Sequence, residues 1–583
     1  MKAIFIDHPE ISKEIILQIF EEHGLVENDQ ILFVSNYYFI CETINSIGFN
    51  ATTVAELLDN NDIVDADGWV ERICQNWFKD SKGNDLSYYN GISLGSISET
   101  PVWIYIVMPL ARIITVINKL VKLGYKTIFL DHNLHYASEI KQCLTNSIDV
   151  QLISCDYKPI PELIKGTIVS YLTSSRQKPY KTIIKSLAWF ILNSVNTFRK
   201  AKNCKSVLFF AESYLTPFFE FTKSQELNFN LCFIEHKRPN NFSVRELSNK
   251  KIVVIPTPIR FKKNKLGSFE EINSNLKKTK VFIYNDIDYN SLFVPFLLEF
   301  AKNYWPLFQQ ATSYYEKMIL KWNISVLFVY ADTPTFERML CLIAKKHCLL
   351  TAVIQHGFKD YPQDLDMDTV DYVLVWSEET KRDYLSLRHN EYKGIITGNP
   401  LFEAYIRTEE SMVYNRAILI LAHSFYNLSN FSQYSHQEVY LRTAINFVKK
   451  TFPDYEIIFR PHPGEELAVY QKYIFPKLKE FEDVEIDTER PIDKSFKRCS
   501  IVICANSTGG IEAFLAGKTV YVINVSNRRF NYPFDEASPS NGKILRDYNP
   551  AKLEQSDYFS NIKNGASKRL LDTITIMLNK EAR

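Results

Sequence analysis

Short runs rich in Val, Ile, Leu and Phe punctuate this chain, at 2–6, 31–35, 127–130, 150–153, 206–211, 252–256, 281–284, 325–330, 351–354, 372–376, 394–397, 417–421, 456–459, 501–504 and 519–523. They are continuous rather than alternating in apolar character, which marks strands buried on both faces of a parallel sheet. Helix-length segments separate many of them, as βαβ units require. The chain is therefore expected to be an α/β protein of doubly wound, Rossmann-like units.

The last third shows the pattern most plainly. Ala417-Ile418-Leu419-Ile420-Leu421 reads as a strand, and Ser435 with Glu438 fits a capping box ahead of a helix whose Leu441, Ala444, Ile445 and Val448 share one face. A strand at 456–459, a helix from 466, a strand at 501–504, a helix over 509–516 closed by Gly517 and a strand at 519–523 follow. One domain is expected over 410–583 and a second over 281–400, with Gly398-Asn399-Pro400 as the hinge between them. Residues 1–270 are expected to form a further α/β region, with no motif that reveals its role.

Composition narrows the function. The 68 Lys and Arg residues balance 67 Asp and Glu, so nothing points to nucleic acid, whose binders show net basicity or a basic stripe. With 18 glycines in 583 residues and no GxGxxG, a dinucleotide site is not expected. Ten cysteines without a CxxC pair fit a reducing cytoplasm better than a disulfide scaffold. The opening Met1-Lys2-Ala3-Ile4-Phe5-Ile6-Asp7 reaches charge too soon for a signal peptide. No uncharged apolar run approaches the roughly 18 residues of a bilayer span.

One segment is charged asymmetrically. Between Leu163 and Ala211 stand Lys165, Arg176, Lys178, Lys181, Lys185, Arg199, Lys200, Lys202 and Lys205 with no acidic residue, around an apolar centre that includes Trp189 and Phe190. Such a segment suits either a core helix with solvated ends or an interfacial helix on the inner face of the cytoplasmic membrane.

The chemistry is expected at two strand ends. Phe459-Arg460-Pro461-His462-Pro463-Gly464 follows a buried strand, which puts His462 at a carboxyl edge, where open α/β sheets bind ligands. Strand 501–504 ends in Ala505-Asn506-Ser507-Thr508-Gly509-Gly510, small residues that leave amide groups open to an anion at a helix N-terminus. Together they read as a phosphate cradle with His462 as its cationic partner on a neighbouring strand. Arg460 is a second donor, and Glu512, one turn on, is placed to bind a ribose diol. His356, after strand 351–354, is expected to face the same cleft, and Asp286 and Asp288 offer carboxylates for a general base. Gly517-Lys518-Thr519 ends a helix instead of opening a P-loop. Asp364, Asp366 and Asp368 read as a solvated loop, Asp65 and Asp67 miss the EF-hand spacing, and His132 with His135 lacks further zinc ligands. No metal site is expected.

Taken in order, Gln355-His356-Gly357, Asp371-Tyr372-Val373-Leu374-Val375-Trp376-Ser377-Glu378, Thr397-Gly398-Asn399-Pro400, Arg460-Pro461-His462-Pro463 and Ser507-Thr508-Gly509-Gly510-Ile511-Glu512-Ala513 resemble bacterial surface-carbohydrate glycosyltransferases of the GT-B fold. The resemblance spans roughly 281–530 and is nearest to sialyltransferases, polysialyltransferases and Kdo transferases, which use CMP-sugars. Glycerophosphotransferases that use CDP-glycerol look similar. The resemblance implies two Rossmann-like domains facing a cleft, with His462 and Ser507 holding the donor phosphate and a base from the acceptor side. It implies a metal-independent transferase with no cofactor beyond its nucleotide-sugar donor, acting on a glycan or lipid-linked glycan of capsule or lipopolysaccharide. A nucleotide-sugar 2-epimerase and a non-catalytic nucleotide-sugar-binding scaffold are the other readings.

Overall fold

A computed structural model describes residues 1–26, 30–144, 148–154, 157, 204–210, 215–234, 252–255, 270–355, 357, 369–386, 394–403, 415–422, 434–462, 467, 470–477, 479–489, 492–505, 507–525, 551–552 and 565–580. Among the described residues the backbone forms three open, mainly parallel sheets. The first comprises β1 (Lys2–Phe5), β2 (Ile31–Ser35), β3 (Asn50–Thr53), β6 (Thr127–Asp131) and β7 (Asp149–Ile153) in the order β3-β2-β1-β6-β7; a small hairpin, β4 (Tyr88–Tyr89) with β5 (Ile92–Ser93), lies outside it. The second sheet joins β8 (Ser206–Phe210), β9 (Asn230–Ile234), β10 (Ile252–Ile255), β13 (Ile324–Val329), β14 (Leu350–Ile354), β15 (Tyr372–Val375) and β16 (Gly394–Ile396) in the order β10-β9-β8-β13-β14-β15-β16. The third has β17 (Ala417–Leu421), β18 (Glu456–Arg460), β19 (Val484–Ile486), β20 (Ile501–Cys504), β21 (Thr519–Val522) and an antiparallel edge strand β22 (Ala551–Lys552), ordered β19-β18-β17-β20-β21-β22. Every residue of β2, β8 and β17 is buried, as strands covered by helices on both faces must be.

This arrangement corrects the expected boundaries. Strands β8 to β10 fall within the supposed 1–270 region, yet β8 pairs along its length with β13, so the divide between 1–270 and 281–400 would cut one sheet. The early residues instead hold a complete Rossmann-like unit of their own, ending near Ile153, plus the first three strands of the middle unit. The run at 281–284 is no sheet strand. It forms a hairpin, β11 (Ile283–Tyr284) with β12 (Ile287–Asp288), packed beneath Trp69, whose ring stacks on Tyr284 at 4.4 Å and whose Nε1 donates to the Val281 carbonyl. The Asn290–Lys321 helix that follows shares one hydrophobic core with the first unit, with Trp305 lying 5.5 Å from Trp77 and donating to the Ser98 hydroxyl at 2.9 Å.

Leu94–Lys122 forms a continuous helical stretch of 29 residues, long and apolar enough to cross a membrane; 67% of its most apolar 18-residue window is buried in this shared core, which explains that composition. Glu99, Arg112, Lys119 and Lys122 interrupt it, so it holds no uncharged run of bilayer length. The 410–583 boundary is corrected as well. The Ala566–Asn579 helix returns to the middle unit, where Leu570, Ile574, Met577 and Leu578 join the cluster of Phe209, Phe218 and Phe219. Its N-terminal amides are capped by Glu403, and Arg569 Nε donates to the Thr397 carbonyl at 3.1 Å.

The first and third units touch directly. The Tyr434–Thr451 helix begins before Ser435, and the expected capping box does not form. Glu438 caps a different helix: its two carboxyl oxygens accept the amides of Tyr38, at 3.2 Å, and Phe39, at 2.9 Å, at the start of the Tyr38–Ser46 helix. That helix has no side-chain cap of its own. Arg442 pairs bidentately with Glu42 at 2.8 and 2.7 Å, and the Ser435 amide donates to the Asn36 carbonyl.

Candidate functional site

In the third sheet the chain turns one way from β17 to β18 and the other way to β20, so the topological switch lies between β17 and β20, where doubly wound sheets bind ligands. Tyr440 closes the floor of that crevice. Its buried hydroxyl donates to the Leu421 carbonyl at 2.7 Å and lies 3.3 Å from the Ile503 carbonyl, bridging the two strand ends. Nothing in the local sequence signals this role of Tyr440, which comes from a contact across the sheet.

The Thr508–Leu515 helix opens at the carboxyl end of β20, with Ser507 as its N-cap. The Ser507 hydroxyl accepts the Gly509 amide at 3.2 Å, and the Ser507 carbonyl takes that of Gly510. Ser507 therefore shapes the helix start, and Thr508 supplies the first amide of the helix and a hydroxyl. Gly509 permits a close fit, since a Cβ there would come within 2.9 Å of Leu421 Cδ1. Glu512 is 7% exposed, one turn in.

Across the cleft stands the turn after β14. Gln355 fixes it, receiving the Trp376 amide on its Oε1 and the Trp376 indole on its carbonyl, both at 3.0 Å, while its Nε2 donates to the Gly357 carbonyl. A Cβ on Gly357 would stand 3.6 Å from Thr508 Oγ1. The Gln-His-Gly and Ser-Thr-Gly motifs of two separate sheets thus meet, and the carboxyl edges of those sheets face each other. His356 and Asn506 themselves lie outside the described residues.

The other motif residues are mostly structural. The Asp371 carboxylate receives the Thr351 amide and hydroxyl, Ser377 and Thr380 cap each other, and Asn399 caps Leu401. Gly398 adopts φ +75°, and a Cβ there would fall 2.7 Å from Arg569 Nη2, so the expected hinge is braced by the returning helix.

Three expectations about the site are corrected. First, β18 and β20 are not neighbours: β17 lies between them, so at roughly 4.8 Å per strand His462 is about 10 Å from the helix start, a nucleotide's span rather than a hydrogen bond's. His462 keeps an open surface while protein surrounds the rest of the ring, and that burial pushes its pKa down to about 4. The imidazole at neutral pH is an uncharged donor and acceptor, not a cation. Secondly, Arg460 is committed elsewhere. Its Nη1 donates to Asp487 at 3.0 Å, to the Ser495 hydroxyl at 2.8 Å and to the Glu489 carbonyl, and Asp487 and Ser495 are both buried. Burial raises the Asp487 pKa, but the Ser495 and Arg460 bonds outweigh it and hold the carboxyl below its ordinary value.

Thirdly, Asp286 and Asp288 belong to the hairpin beneath Trp69. Asp286 takes φ +63° in its turn, and Asp288 accepts the Asn290 amide at 2.9 Å ahead of the long helix. The buried carboxylate that does stand at the middle sheet's carboxyl edge is Asp332, which accepts the Thr369 hydroxyl at 2.8 Å and lies 3.9 Å from Arg338. No group of three His, Cys, Asp or Glu residues able to hold a metal occurs among the described residues. The Asp364–Asp368 run and most of the basic 163–211 segment lie outside them.

Paired Rossmann-like units with apposed carboxyl edges, a returning C-terminal helix and a helix N-terminus in the cleft define a GT-B-like α/β architecture. Within it, residues 422–525 match the model of the capsule polysaccharide biosynthesis protein family. No curated protein matches the chain. Among solved structures the chain is similar to UDP-GlcNAc 2-epimerase from Neisseria meningitidis bound to UDP-GlcNAc, at 15% identity over 64% of this chain and 100% of that one, with a TM-score of 0.38. It is also similar to S. aureus MnaA with UDP (14% identity, 65% and 98% coverage, TM-score 0.37). A wall teichoic acid polymerase, TagF, soaked with CDPG is similar at 11% identity (69% and 97% coverage, TM-score 0.32). At this level of likeness no chemistry is carried over to this chain.

Proposed function

We propose that this chain is a glycosyltransferase of bacterial surface-polysaccharide synthesis, moving a sugar from a nucleotide donor to a growing glycan at the inner face of the cytoplasmic membrane without a metal. The observation that carries this reading is the approach of Gly357 to Thr508, which closes a cleft over a helix N-terminus at the switch point of the third sheet. The capsule-family match over 422–525, the segment that holds His462 and Ser507, supports it. The donor we favour is a CMP-activated nonulosonate or Kdo. With Arg460 tied to Asp487 and His462 a nucleotide's span away, the phosphate seat is a single helix N-terminus, which suits a single phosphate better than a diphosphate.

In this mechanism the sugar develops oxocarbenium character as the phosphate departs. The Thr508 amide and the helix dipole oppose the growing negative charge from fixed positions, and His462, a nucleotide's span away, donates a hydrogen bond from its neutral ring to another part of the donor. A thermal-shift panel of CMP, CDP, UDP and GDP tests the reading. CMP should raise the melting temperature most, by the equivalent of about 2.7 kcal/mol at a hundredfold excess over Kd. A larger shift with CDP would favour polyol-phosphate transfer, one with UDP would favour an epimerase, and no shift with any nucleotide would refute the proposal.

A further inference from the structure

The Tyr434–Thr451 helix follows β17, and its first turn stands at the carboxyl edge of the third sheet. Gln437 lies in that turn. Its side chain is fully buried, and neither its Nε2 nor its Oε1 has a hydrogen-bond partner. Among the described residues it is the one side chain with two such atoms. A buried carboxamide left without partners destabilises the folded chain, and a ligand that both donates and accepts would remove the penalty.

The neighbours of Gln437 along the helix fix where it sits. Tyr440 and Leu441 follow at the i+3 and i+4 spacing, and both are buried in the third unit's core, so Gln437 shares the helix face turned to the sheet. Tyr440 reaches the carbonyls of Leu421 and Ile503, at the ends of β17 and β20. Gln437 is three residues nearer the helix start, about 4.5 Å further out along the axis, and helical side chains lean towards the N-terminus. Its carboxamide therefore projects past the strand ends into the β17–β20 crevice. Because β17 lies between β18 and β20, that position falls within the span from the Thr508 helix start to His462. Glu438, the next residue, turns away from the crevice to the amides of Tyr38 and Phe39.

We propose that Gln437 holds the ribose of the donor nucleotide, its Oε1 accepting one hydroxyl of the 2′,3′-diol and its Nε2 donating to the other. This deepens the function proposed above and rests on it for the presence of a nucleotide. With a phosphate on the Thr508 amide, the pentose is the next part of the nucleotide along the sheet edge, while the sugar to be transferred has to face the acceptor side, where Gly357 stands. The vicinal hydroxyls of a ribose offer the paired donor and acceptor that the carboxamide lacks. A phosphate would satisfy only Nε2 and set Oε1 against negative charge, and an apolar group would satisfy neither. The nucleotide is thus read by its pentose as well as by its phosphate.

The test is titration calorimetry of the full chain with CMP and 2′,3′-dideoxy-CMP, on wild type, Gln437→Met and Glu512→Gln, with melting curves of each protein without ligand. Wild type should bind CMP tenfold or more tightly than the dideoxy nucleotide. Gln437→Met keeps the length of the side chain and removes its polar atoms. It should bind CMP tenfold or more weakly than wild type, treat the two nucleotides alike, and melt without ligand at or above the wild-type temperature, because no buried amide is left unpartnered. A residue that only packs would instead lower the melting temperature and leave the preference for CMP unchanged, which would overturn the inference. So would a wild type that does not distinguish the two nucleotides. Loss of the preference in Glu512→Gln but not in Gln437→Met would assign the ribose to Glu512 and overturn it too. In each of these cases CMP binding by wild type leaves the proposed function standing. Tighter binding of CDP or UDP, with a ribose preference that Gln437→Met abolishes, would overturn the CMP donor alone, and no binding of any nucleotide would overturn both.

Discussion

Glu438 offers a sharp test of how the first and third units are held together. Its side chain is fully buried, and that burial pushes its pKa from 4.5 to about 8, even though two amide donors and Arg442 favour the ionised form. A shift of this size corresponds to about 5 kcal/mol at about 1.4 kcal/mol per unit. The sign follows from linkage. The folded chain holds the proton more tightly than the unfolded one, so this contribution is complete below about pH 4.5 and is lost as pH rises through about 8. The contact between the units should therefore loosen between about pH 4.5 and 8. Glu438→Gln keeps one acceptor, loses the other and cannot ionise. At pH 6 the variant should be less stable by about 1–3 kcal/mol, for one buried amide left without its acceptor; at pH 9 the difference should vanish or reverse. The assay is amide hydrogen exchange of the peptide containing Tyr38 and Phe39, with chemical denaturation in parallel. Wild-type exchange at these amides should rise with pH beyond its intrinsic chemical dependence, and the variant's should not. If both proteins show the same corrected pH dependence, the reasoning about the buried carboxyl is wrong.

Other consequences are equally direct. With the His462 pKa lowered to about 4 by burial, a phosphate ligand should raise it, so nucleotide binding should strengthen as pH falls from 7 to 5, with proton uptake detectable by calorimetry in buffers of different ionisation heat; His462→Ala should remove that uptake and weaken binding by one to three decades, about 1.4 kcal/mol each. Gly398→Ala should cost about 1–3 kcal/mol, because φ +75° and the approach of Arg569 oppose a Cβ, and limited proteolysis should then release the Ala566–Asn579 helix first. Arg460→Lys should destabilise the third unit by about 1–3 kcal/mol in denaturant titrations by losing bonds to Asp487 and Ser495, yet leave nucleotide affinity unchanged.

The strands were legible because strands buried on both faces are written as continuous apolar runs. All of those runs except 281–284 became strands of parallel sheets. The polar edge strand Asn50–Thr53 was not legible, since an edge needs no such run. Nor was sheet membership: β8 and β13 are adjacent in space and far apart in sequence, with a helix of the first unit's core between them. At the site, the small residues around Ser507 declared a helix start correctly, but local pattern failed wherever a tertiary partner outbid a local one. Ser435 and Glu438 have the spacing of a capping box, and Glu438 caps the Tyr38–Ser46 helix instead. Arg460 looked available until the buried Asp487 was placed beside it, and the protonation of His462 depended on an enclosure no sequence window displays.

The returning Ala566–Asn579 helix also sets an order of events during synthesis. The last strand of the middle sheet, Gly394–Ile396, leaves the ribosome well before the helix that covers Phe218 and Phe219. Until that helix arrives, the nascent middle unit displays an aromatic face to the cytosol or to a chaperone, and the third unit folds while its predecessor is still unfinished. A stalled or prematurely terminated chain would thus carry a folded third sheet on a sticky, incomplete middle one, and a bulky fusion close behind Asn579 would delay the moment at which the lobes are tied together a second time.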